Sequence, residues 1–202
     1  MNQFPQTIEA IEDGIDRGLH SGLQIYVSQR GRVLLNVGVG QSTPGRLMTS
    51  DTIMLWRSAG KPLTAAAICR FADLGYLSLD DSVARLWPDV SEHPVGGITL
   101  RQLLTHQSGM LVNYSGWPYR TWTEILQNLM HIDVGHAAAA YQPQTTWFLL
   151  AELLQRIDPN HRSFGRIVHE EILNPCGIEE VWCGLPPEVT TLESRLPVIY
   201  EL

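Results

Sequence analysis

Lysine is nearly absent from this chain: of fourteen basic residues thirteen are arginine, and Lys61 stands alone. Arginine keeps its proton inside a protein, whereas a desolvated lysine can lose one and act as a base. Lys61 is therefore singled out at once. Cysteine is also scarce. Cys69, Cys176 and Cys183 are odd in number and form no C-x-x-C pair, which argues against a disulfide-stapled scaffold and suits a reducing, cytoplasmic setting. No apolar run approaches the roughly eighteen residues of a membrane span. The first residues hold neither the cationic nor the apolar segment of a secretory leader. Charged residues make up only 17% of the chain and leave it at −7. That balance excludes a nucleic-acid backbone or an anionic membrane as the main partner, since both select a basic patch.

What is present is a core's worth of apolar residues, 44% of 202, enough for one good-sized domain rather than a disordered chain. Ile8, Ile11, Ile15 and Leu19 recur at helical spacing and predict a helix over residues 6–19. Two β-rich runs, 23–29 and 32–37, flank Arg30-Gly31 and predict a hairpin. The glycine-rich residues 38–45 read as a loop; they lack the phosphate-binding pattern and any lysine. An alanine-rich helix is expected over 62–74, stopped by Gly75. Residues 77–90 read as a loop and a short helix. Thr99 and Gln102 form a capping box for a helix through about His106. Residues 109–119 read as a surface loop, and helical patterns return at 122–131, 145–157 and 164–173. The fold class is α+β, with few strands and a large helical lobe.

Chemistry concentrates at Ser58-Ala59-Gly60-Lys61, where a loop enters the long helix. A serine at a helix mouth lies near unpaired N–H groups and the positive end of the helix dipole, which favour an oxyanion. A lysine three residues on shares its face and can accept the hydroxyl proton if it is neutral. Taken alone, the pair reads rather as an N-cap and a surface cation.

The stretch LWRSAGKPLTAAAICRFADLGYLSLDDSVARLWPDV, followed by ITLRQLLTHQSGM, resembles the serine β-lactamase and penicillin-binding-protein superfamily. The branch it is most similar to is the class C β-lactamase-like group of esterases and D-amino-acid peptidases. Later segments, YQPQTTWFLLAELLQRI and FGRIVHEEILNPCGIEEVWCGLP, extend the resemblance from about residue 20 to 186. It implies a β-lactamase/transpeptidase-like fold: the hairpin as the N-terminal part of an antiparallel sheet, and a helical lobe. The whole chain, 1–202, then reads as one incomplete domain: helix, hairpin and nucleophile helix over 1–75, helical lobe over 76–175, and a return toward the sheet over 176–202. The family's C-terminal strands are expected to begin about where the chain ends.

Carried over by position, Ser58 becomes the acylated nucleophile, Lys61 its proton acceptor or the tuner of its pKa, and Tyr141 the phenol that helps move protons. Tyr114 and Tyr119 are weaker competitors for that last role. Two departures stand out. Pro143 replaces the asparagine of the family's Y-x-N, which weakens β-lactam and peptide recognition more than ester hydrolysis. No K-T-G or H-x-G follows Tyr141, although the family places half of its oxyanion hole on that strand; His20-Ser21-Gly22 has the letters but precedes Ser58 and reads as a turn. The expectation is a serine hydrolase of a small ester or amide, without cofactor or metal, with weak turnover and an open sheet edge free to self-associate or take a partner chain. The competing expectation is a truncated or degenerate relative that binds or regulates without turnover. The other candidates read as structural: His106 as a helix-end residue, His131, Asp133 and His136 as too few ligands for zinc, and Trp117, Trp122 and Trp147 as packing.

Overall fold

In the computed structural model, residues 4–111, 114–135, 139–184 and 195–197 are described. The chain divides into two compact units, Met1–Leu55 with Leu185–Leu202, and Trp56–Gly184.

The first unit opens with α1 (Pro5–Asp16), which has a proline in its first turn, where the missing N–H costs nothing. The helix stops three residues short of the expected Leu19. Gly18 takes φ 70°, and its amide and that of Leu19 bond back to Ile15 and Gly14, a Schellman ending that leaves Leu19 60% exposed. β1 (Gly22–Gln29) and β2 (Arg32–Thr43) form the antiparallel hairpin around Arg30-Gly31, both at positive φ as a tight two-residue turn requires. Leu23, Ile25 and Val27 pair with Val39, Val37 and Leu35, giving one apolar face. Residues 38–45 are not the predicted loop. Most of them continue β2, which then pairs with β3 (Arg46–Leu47) in the order β1-β2-β3. Two of the glycines that suggested a loop, Gly38 and Gly40, serve close approach instead: a Cβ at Gly38 would lie 2.5 Å from the backbone of Met48 and Thr49.

The second unit is helical. It comprises α2 (Lys61–Asp73), α3 (Val83–Leu86), α4 (Leu100–Leu104), α5 (Trp122–Met130), α6 (Thr145–Ile157) and α7 (Phe164–Val168), the last widening into a π turn over His169–Leu173. The capping box at Thr99 forms as read, and Thr121 with Glu124 forms a second. Gly75 ends α2 in a Schellman motif whose apolar clasp is the Phe71–Tyr76 ring pair at 5.6 Å. Leu149, Leu150, Leu153 and Leu154 of α6 are fully buried, so this helix is the hub on which α2, α3, α4, α5 and α7 pack. Each such leucine contributes about 1.5–3 kcal/mol of apolar burial. Ile68 and Phe71, also fully buried, fix the rotation of α2 and hence of the residues at its start.

The segment expected to carry α4 through His106 turns out at Leu104. His106 adopts φ 58° just after the helix, and the following amide, Gln107, bonds back to Gln102 at 2.7 Å. Among the described residues no helix is long and apolar enough to cross a membrane.

Candidate active site

Ser58 lies in a short 3-10 turn, Arg57–Gly60, that runs directly into α2. Arg57 is held at φ 46°, an uncommon conformation for a side chain of its size, immediately before the serine. Lys61 is the first residue of α2, and its Nζ donates to Ser58 Oγ at 2.9 Å. Tyr141 comes from the irregular segment before α6, 83 residues along, and its hydroxyl donates to the same Oγ at 2.7 Å. The three residues named from the sequence are thus gathered around one oxygen, all within the helical unit. Ser58 and Tyr141 are exposed and Lys61 is half-buried, so the cluster opens to solvent.

The surroundings act on charge. Lys61 Nζ lies 5.3 Å from the Tyr141 ring centroid and 5.4 Å from that of Trp147, within cation–π range of both. Hydrogen bonding to Ser58, then to Lys61, holds the Tyr141 hydroxyl below the usual phenol range. A phenol so placed reaches its anionic form at lower pH, which makes it available as a proton acceptor there. Among the described residues, Tyr141 is the tyrosine bonded to Ser58; Tyr114 and Tyr119 stand exposed in the segment before α5.

His106 and Trp147, expected from the sequence to be structural, build this site together with Gln142, which the sequence did not single out. Gln142, only 2% exposed, is bonded through every polar group. Its amide N–H donates to His106 Nδ1 at 3.0 Å, its side-chain amide donates to the Met110 carbonyl at 2.8 Å, its side-chain oxygen accepts from Thr145, and its carbonyl accepts from Trp147 Nε1 at 3.0 Å. The Ala140 amide donates to the His106 carbonyl at 3.0 Å. Tyr141 therefore sits between two neighbours that are both tied to His106. The available sequence signal was the family segment containing His106, but nothing in its letters tells which loop the ring meets. Pro143, between the two anchors Gln142 and Gln144, is exposed; Gln144 accepts from Ser115 through both amide and hydroxyl, tying down part of the loop expected at 109–119.

His136 lies outside the described residues, and among those described no three of histidine, cysteine, aspartate and glutamate gather as metal ligands. His20 precedes β1 with its ring against Gly14, in the sheet unit.

A sequence profile of the β-lactamase family matches residues 8–197, nearly the whole chain. The chain belongs to the β-lactamase family. Its relatives within that family include a penicillin-binding protein of Bacillus subtilis (strain 168), 26% identical over 155 residues that make up 71% of this chain and 33% of that protein. Esterase EstB of Burkholderia gladioli is 33% identical over 95 residues, 44% of this chain and 24% of the esterase. The crystal structure of a penicillin-binding-protein homologue from Caulobacter crescentus superimposes with a TM-score of 0.77 at 25% identity, covering 100% of this chain and 55% of that one. The fold is that of β-lactamases and penicillin-binding proteins. The matched part spans a quarter to a third of the two curated relatives, and the chain spans about half of the solved homologue.

Proposed function

We propose that this β-lactamase-family chain carries the nucleophile of a serine hydrolase that works through an acyl-enzyme on a small ester or amide. The observation that supports it most is the pair of contacts on Ser58 Oγ, to Lys61 Nζ and to Tyr141 Oη. Ser58 attacks the substrate carbonyl and gives its proton to Lys61 or Tyr141 as the new C–O bond forms. The tetrahedral oxyanion collapses, the leaving alkoxide or amine takes the proton back, and Ser58 is left acylated. Water, deprotonated by the same pair, then releases the acid and restores the serine. An ester is the favoured substrate, because Pro143 offers no side-chain amide to bond a peptide or β-lactam amide, and because an esterase is among the relatives. The substrate sits in the open face of the cluster; no cofactor enters the scheme.

A fluorophosphonate probe tests this reading. Intact-mass and peptide mapping are expected to find one adduct per chain, on Ser58, lost in Ser58→Ala. Labelling spread over several serines, or none on a folded chain, would favour the non-catalytic binding role.

A further inference from the structure

A helix ending of the type found after α4 is best served by glycine, which adopts positive φ without strain. α2 ends on Gly75 and α1 on Gly18 in this way, at φ 79° and 70°. α4 ends instead on His106, at φ 58°, with the same pair of back-bonds: His106 N–H to Leu103 and Gln107 N–H to Gln102. A bulky residue held in the left-handed region stores strain that the helix ending itself does not need.

The ring is where that choice has a use. Its Nδ1 accepts the Gln142 amide proton at 3.0 Å, its face packs 5.0 Å from the Tyr141 ring, and its edge meets Trp147 at 5.7 Å. An amide N–H has a proton to give and none to take. Nδ1 must therefore carry a lone pair, and the ring is the neutral Nε2–H form while the bond exists. We propose that His106 is a positioning residue: it holds Tyr141 against Ser58 by accepting the Gln142 amide on Nδ1, and the hold is released when that nitrogen takes a proton.

The groups that face the ring are consistent with this. Among the described residues, Lys61, at the start of α2, is the charge that acts on it; Tyr141 packs on its face, and Trp147 on α6 presents an uncharged ring. Burial, and after it the charge of Lys61, hold His106 below the usual histidine range, so the hold survives into mildly acid solution. The inference rests on the catalytic reading of Tyr141 for its effect on rate, but the hold itself is measurable without any reaction.

Two substitutions separate positioning from mere helix ending. His106→Gly removes the ring and relaxes the helix end. His106→Asn tolerates positive φ and places Oδ1 close to where Nδ1 lies, as an acceptor that does not titrate. Amide hydrogen exchange by NMR is expected to show the Gln142 amide protected in the parent and in His106→Asn, exposed in His106→Gly, and exposed in the parent once acidified. Phosphonylation of Ser58 by the fluorophosphonate should slow on the order of 10²-fold in His106→Gly, as a misplaced group does. His106→Asn should recover most of that loss and lack the acid fall-off belonging to His106. A Gln142 amide that stays protected in His106→Gly, or an acid limb unchanged in His106→Asn, would overturn the proposal. If the amide behaves as described but the parent takes no label on Ser58, the hold stands and the catalytic reading fails.

Discussion

In the helical unit, Ile68, Phe71, Leu149, Leu150, Leu153 and Leu154 retain no solvent exposure; in the sheet unit, the large apolar side chains buried among the described residues are Ile8, Leu35 and Met48, each still 6–8% exposed. The sheet unit also presents Tyr26 and Leu47 to water at 63% and 72%. All three candidate catalytic residues, and the His106, Gln142 and Trp147 framework behind them, belong to the well-packed unit. Precision is kept where the packing is dense. Proton transfer needs heavy atoms fixed to within tenths of an ångström, and a close-packed interior supplies that rigidity in a way a thinly covered sheet does not.

Hollowing out the dense core should have the largest effect. Phe71→Ala should cost about 3–5 kcal/mol by cavity formation, read from a urea midpoint, whereas Tyr26→Ser should stay within about 0.5 kcal/mol. Comparable losses at both positions would mean that the sheet unit is as tightly packed as the helical one.

The buried ion pair of the helical unit comes next. Asp158, 1% exposed, receives two bonds from the Arg162 guanidinium at 2.7 and 3.0 Å, and Glu170 and Glu171 face the same group. The hydrogen bond from Arg162 holds the Asp158 carboxyl below the ordinary carboxylate range. Its stabilisation is therefore complete above about pH 4, the value in the unfolded chain, and is lost as pH falls through the lower folded value. Asp158→Asn should cost about 3 kcal/mol, the low end for a broken buried pair, because two glutamates remain. It should also flatten the acid side of a stability–pH curve measured by urea unfolding.

At the site itself, Tyr141→Phe should slow Ser58 acylation on the order of 10²-fold with unfolding unchanged, followed by stopped-flow release from an activated ester. The smallest effect belongs to the sheet edge. Among the described residues β1 has β2 on one side and no strand on the other. Such an edge favours pairing with a second copy. Sedimentation over a concentration series should show weak self-association that Tyr26→Lys reduces without altering stability.

Much of this was legible in the chain. The leucine spacing over 145–157 marks α6 to the residue, and Thr99 and Gln102 announce their capping box. Ser58 and Lys61 are legible because they share one turn. Tyr141 is not recoverable from spacing; it emerges only through the family likeness, since the contact closes 83 residues of chain. Residues 38–45 misled because a glycine needed for close backbone approach looks in sequence like one needed for a turn. His106 misled for the converse reason: its place after α4 is visible, but the use of its ring depends on Gln142, which arrives from a distant segment.

The mechanism turns on whether Lys61 itself takes the Ser58 proton. Lys61→Arg keeps the positive charge and removes the basicity, so the parent and this variant should be mixed with an activated ester, quenched in acid, and mapped by mass. An acyl group is expected on Ser58 in the parent and none in Lys61→Arg on the same timescale, with matching circular dichroism. Equal acylation of the two proteins would contradict it, because charge alone would then suffice.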